Sequence, residues 1–121
     1  MANSSTERVE VALEELIDVL ETRTKMRRSP AGVTSTGLRD VAIHQKGGWL
    51  EFEMPGITQS LKTNSGNLSR SVFFPTKTLP NVIKVLKTQM GNVENCFIEV
   101  NAEHVSFKAG TSKLSLKRLR P

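Results

Sequence analysis

Seven basic side chains have the spacing to hold a polyanion. Lys84 and Lys87 stand one helical turn apart and Lys77 lies just upstream, so three ammonium groups share one surface. Arg23, Lys25, Arg27 and Arg28 form a second group, at the end of an earlier helical pattern and in the loop beyond it. Ammonium and guanidinium groups so arranged meet phosphates of a nucleic-acid backbone and release its counterions without reading bases. Arg23, Lys25, Arg27 and Arg28 also suit a helix C-terminus, where the peptide dipoles leave negative charge, so helix stability accounts for part of the pattern.

Other chemistry is poorly supplied. His44 and His104 each fall in or beside a strand pattern, with no serine, cysteine or carboxylate motif that marks a triad. Cys96 precedes Phe97 and Ile98, a setting for a small buried hydrophobe rather than a nucleophile. One cysteine excludes an internal disulfide, and one cysteine with two histidines does not furnish a structural zinc site. The glycines form no phosphate loop, and Gly47-Gly48 reads as a hairpin turn. Glu51 and Glu53 alternate with apolar residues, which places them on a solvated sheet face. No catalytic residue, cofactor or metal is expected.

Length and composition agree with a binding role. The chain has 121 residues, 37% of them hydrophobic and 24% charged, enough for one core and one domain. No apolar run reaches the roughly 20 residues of a membrane span, and the first 30 residues lack a signal-peptide stretch, so a cytoplasmic protein without membrane contact is expected. The net charge is +5, unevenly spread. From Met1 to Glu21 one base faces six acids, whereas the remainder carries 16 bases and six acids. A basic body favours polyanionic partners.

The elements that must position these groups come in two similar sets. After a polar N-terminus, residues 1–7, expected to fray, Arg8 to Ala12 alternates like a strand and Leu13, Leu16, Ile17 and Leu20 continue with helical spacing. A single helix from Thr6 onward is the alternative, since periodicity alone permits it. Further on, Ser71 to Phe74 is β-rich, and Leu79, Val82, Ile83 and Leu86 repeat the helical spacing at an offset of 66, with Pro80 in the first turn and Gly91 as a stop. The repeat favours a strand before the first helix too. Strand patterns follow each helix: Arg39–His44, Leu50–Met54 and Ile57–Thr63 in the first unit, then Phe97–Val100, Val105–Lys108 and Lys113–Lys117 in the second. The units run over about 8–63 and 71–119, joined by polar Asn64 to Ser69, with a longer loop from Arg27 to Gly37. Trp49 is expected in the core with Leu50, Phe52 and Met54, or else in a groove for a partner peptide; Leu114 and Leu116 are expected to be buried. The fold class is α+β, with two helices on one face of an antiparallel sheet.

At this point the chain resembles the bacterial DNA sliding clamp, the β processivity factor of the replicative polymerase. Phe74-Pro75-Thr76-Lys77-Thr78-Leu79 looks like the clamp's strand-to-helix pattern, and Gly110 to Leu116 with Leu119 and Pro121 is similar to the last strand and exit of a clamp domain. The resemblance implies a DNA-clamp-like domain of two strand-helix-three-strand repeats and a noncatalytic role in replication or repair. It implies helices turned toward duplex DNA, the loop after the first helix near the duplex, and replication or repair proteins as partners. Clamp subunits carry three such domains and close a ring in pairs, so one domain implies a homo-oligomer of about six copies or a relative with another task. The acidic stripe of Glu10, Glu14, Asp18 and Glu21 on or near the first helix repels DNA and supports that second reading, a protein-interaction module that has lost DNA encirclement.

Overall fold

The computed structural model describes residues 6–25, 40–54 and 57–119. The chain runs β1 (Glu7–Ala12), α1 (Leu13–Lys25), β2 (Asp40–Lys46), β3 (Trp49–Met54) and β4 (Ile57–Gly66). It continues through β5 (Val72–Pro75), a 3₁₀ turn over Thr76–Thr78, α2 (Leu79–Lys87), β6 (Asn95–Val100), β7 (His104–Ala109) and β8 (Ser112–Lys117). The strand-helix-three-strand order therefore occurs twice. The expected fraying of residues 1–5, the loop over 27–37 and the Pro55-Gly56 turn lie outside the described residues.

Eight strands form one sheet in the order β5-β2-β3-β4-β1-β6-β7-β8. The order shows an exchange: β1 pairs antiparallel with β6 of the second unit, and β5 pairs with β2 of the first. The registers obey a pseudo-twofold relation. Phe52 faces Gln59 as Phe107, 55 positions on, faces Leu114. Val9 faces Ile98 while Val72, 63 positions on, faces Ile43. The helices start 66 apart, at Leu13 and Leu79. The difference of three between strand and helix offsets is the Thr76–Thr78 turn, inserted in the second unit alone.

Both helices lie on one face of the sheet and against each other. α1 turns Leu13, Leu16, Ile17, Val19 and Leu20 inward, and α2 buries Leu79, Val82, Ile83 and Leu86. They meet Val9, Val11, Val41, Ile43, Leu50, Phe52, Val72, Phe74, Ile98 and Phe107 from the strands in one continuous core. Fully burying each such side chain stabilises by about 1.5–3 kcal/mol. Pro80 sits in the first turn of α2, where its missing N–H costs nothing, and Glu14 and Glu15 occupy the first turn of α1, where the dipole favours acids.

Several expectations are corrected. β1 begins at Glu7, inside the stretch expected to fray. Glu7 faces Val100, and its carboxylate accepts hydrogen bonds from the Ser69 amide and hydroxyl beside the Arg70 guanidinium. The Ser69 hydroxyl, with the amide and Arg70 behind it, holds this carboxyl below its usual range. The polar joint is partly strand, because β4 continues to Gly66 and crosses onto β1, with Val9 opposite Gly66. Glycine is required at that crossing: φ is +80° and an added Cβ would lie 2.1 Å from the Arg8 carbonyl oxygen. Glu10 stands on β1 rather than on the helix and accepts from Ser65 Oγ at 3.1 Å, which removes it from the acidic stripe. Trp49 is 50% exposed, because strand alternation sends Leu50, Phe52 and Met54 inward and leaves Trp49 in phase with Glu51 and Glu53. Leu114 and Leu116 are only partly buried, since β8 is an edge strand.

The sheet nearly closes on itself. Leu119 N donates to Phe73 O at 2.9 Å, joining the exit of β8 to β5 just as β4 crosses to β1. Among the described residues, two edges lack a backbone partner: Ile57–Lys62 of β4, paired only with β3, and β8, paired only with β7. Phe107 packs edge-on against Phe74, ring centroids 5.8 Å apart, beneath both units. Phe107→Ala is expected to lower unfolding free energy by about 3–5 kcal/mol in urea titration. Leu114→Ala, across from it on the half-buried edge, is expected to cost clearly less.

Candidate nucleic-acid interface

The candidate cations gather around the helix pair. Lys77 is exposed in the 3₁₀ turn that leads into α2, and Lys84 and Lys87 are exposed in the last turn of α2. The backbones of Arg23 and Lys25 lie in the last turn of α1, while Arg27 and Arg28 lie outside the described residues. The described candidate cations thus stand on or beside the helices rather than on the far face of the sheet, where other bases lie.

Lys87 is not a free charge. Its ammonium pairs with the Glu21 carboxylate across the helix-helix contact. Glu21 and Lys87 are 66 positions apart, the offset that superposes the helices, so equivalent positions of the two units meet near the pseudo-axis with opposite charge. The pair joins the end of α2 to α1 one turn before its own end. Lys77 and Lys84 form no ion pair among the described residues, and Glu14, Glu15 and Asp18 are exposed on α1. The face presented by the helices therefore carries both signs, and among the described side chains Lys77 and Lys84 of the second unit are its bases without an ion pair.

The far face of the sheet carries its own polar network. Arg8 stacks on Phe97 at 4.9 Å and approaches Glu99 at 3.7 Å, with Lys113 on the other oxygen of Glu99. In the first unit, His44 Nε2 lies 2.9 Å from Glu51 Oε1 and 3.8 Å from Glu53 Oε2, and Lys46 Nζ is 3.7 Å from Glu51 Oε2. The His44 hydrogen bond, aided by Lys46, holds the Glu51 carboxyl below the usual carboxylate range. Sequence reasoning missed this cluster, although a two-residue Gly47-Gly48 turn with φ +61° at Gly47 sets Lys46 opposite Trp49 and hence His44 opposite Glu51. It also missed the Glu21–Lys87 pair, which the offset of 66 signals. His104 is exposed at the first residue of β7. Cys96 is buried on β6, and burial pushes its thiol up to about 12.

No protein-family model matches the chain, and no curated protein matches it. Solved structures do, and they define the fold as that of a DNA sliding-clamp domain. A sliding clamp of Pseudomonas aeruginosa (DNA polymerase III subunit beta), bound to griselimycin, superposes over 95% of this chain with a TM-score of 0.71 and 15% identity. The DNA polymerase sliding clamp of Caulobacter crescentus covers all of the chain at TM-score 0.67 and 20% identity, and the beta clamp of Helicobacter pylori covers 93% at 0.68 and 13%. The chain spans about a third of each of these clamps, 31%, 34% and 30% of their lengths.

Two measurements follow from this geometry. A double-mutant cycle with Glu21→Gln and Lys87→Gln is expected to return a favourable coupling of about 0.2–1 kcal/mol that shrinks with added salt, since the pair is half in solvent. Cys96 is expected to resist a thiol reagent at pH 8 in the native chain and to react fully in denaturant, because its thiolate is suppressed and covered.

Proposed function

We propose that this chain is a noncatalytic clamp-like module that touches duplex DNA through backbone phosphates and binds replication or repair proteins, acting as one segment of a closed ring. The observation that carries the reading is the clamp-domain fold itself, with two helices side by side on one face and basic residues at their ends. Lys77, Lys84, Lys87, Arg23, Lys25, Arg27 and Arg28 are the proposed phosphate contacts. Lys77 and Lys84 contribute most among the described residues, because Lys87 is already engaged by Glu21. The unpaired edges of β4 and β8 are equivalent under the internal repeat and lie in opposite units, so copies joining β4 to β8 assemble head to tail. A single clamp-like module then needs about six copies to match a ring of two three-domain subunits.

A second reading has its own support. Exposed Glu14, Glu15 and Asp18 on α1 oppose a phosphate backbone, which favours a protein-interaction module without DNA encirclement. Light scattering with and without duplex DNA separates the two. A closed ring of about six copies supports the clamp, and a monomer or dimer indifferent to DNA supports the module. For the clamp, log affinity is expected to fall linearly with log salt, by about 0.9 in slope per phosphate contact. Reversing Lys77 and Lys84 to Glu is expected to lower that slope by about two for every DNA sequence tested. Binding that ignores salt and both reversals rejects the DNA role.

A further inference from the structure

We propose that His44, Glu51 and Glu53 form a surface site for a divalent transition-metal ion of the zinc class, on the sheet face opposite the helices. The three ligand atoms, His44 Nε2 and one oxygen from each carboxylate, all lie within 4.8 Å of one another. A cation bound at about 2.0–2.2 Å from each donor sets neighbouring donors roughly 3.0–3.5 Å apart. The His44 separations of 2.9 and 3.8 Å bracket that span, and with all three donors within 4.8 Å the site closes as the two carboxylates are drawn together by the ion.

The backbone holds the donors in place. His44 on β2 is directly opposite Glu51 on β3, and Glu53 is the next outward residue of β3. All three are therefore fixed on one face of a tightly turned hairpin rather than carried on a loop. Lys46 approaches the other oxygen of Glu51, Oε2, which turns Oε1 toward the imidazole and orients the ligand from outside. One imidazole with two carboxylates suits zinc and its neighbours, whereas magnesium and calcium take oxygen donors alone. Each donor is partly exposed, so the remaining coordination positions open to solvent, to water or to a side chain from a partner. Such a site differs from the closed Cys/His kind, which one cysteine and two histidines do not furnish.

The test is a zinc chloride titration of the untagged full chain, followed through the ring carbon-bound proton resonances of both histidines. His44 is expected to shift in a saturable, one-to-one manner, with His104 unmoved and millimolar magnesium without effect. His44→Gln is expected to abolish binding, and Glu53→Gln, which leaves the His44–Glu51 contact intact, to weaken it at least about tenfold, the scale on which altered metal-site partners act. Amide spectra of both variants verify the fold. His44 resonances that respond to pH yet ignore zinc would identify a plain histidine-carboxylate pair and overturn the proposal, as would undiminished zinc affinity in folded His44→Gln.

Discussion

Neither half of this protein completes its own sheet. β1 bridges the units, running along β6 of the second while touching the end of β4 in its own, and β5 of the second unit lies on β2 of the first. Because the exchanged strands carry Val9, Val11, Val72 and Phe74, all fully buried, the core under both helices is complete only with those strands in place. The placement of α1 against α2 follows from that trade, as do the continuous sheet and the position of both free edges. Contacts between residues far apart in sequence carry the structure, which makes strand exchange the step on which cooperative stability depends.

The helix surface shows how a shared framework accommodates two unlike chemistries. Inward positions at the offset of 66 stay apolar in both units, since each fills the same kind of space. Outward positions have no such constraint, and there Asp18 and Glu21 stand where Lys84 and Lys87 stand in the second unit. The resulting mixture of acids and bases weakens any uniform field over the helices.

Much of the fold was legible because it depends on periodicities. The apolar spacing at Leu13–Leu20 and Leu79–Leu86 identified both helices, and strand alternation identified the three strands after each. The extension of β4 through polar Asn64 to Gly66 was not legible, because backbone pairing with β1 rather than side-chain burial makes it strand. Trp49, grouped with Leu50, Phe52 and Met54 as core, is one residue out of phase with that row and is exposed instead. Of the candidate site, the exposed positions of Lys84 and Lys87 were readable from helical spacing. The neutralising contact from Glu21 and the gathering of His44, Glu51 and Glu53 needed strand register and helix crossing, which no single element encodes.

The pairing of Glu21 with Lys87 bears on what a severed half of this molecule could do. An isolated first half lacks the strand that belongs on β2, and a second half lacks the one that belongs on β6, so each must recruit a neighbour. Two identical first halves docking in this manner would bring Glu21 against Glu21 at the axis, and two second halves would bring lysine against lysine. Like charges disfavour both self-matches, whereas the mixed couple gains an attraction. The molecule thus reads as a fused heterodimer whose fragments, if separated, recognise their opposites rather than their twins.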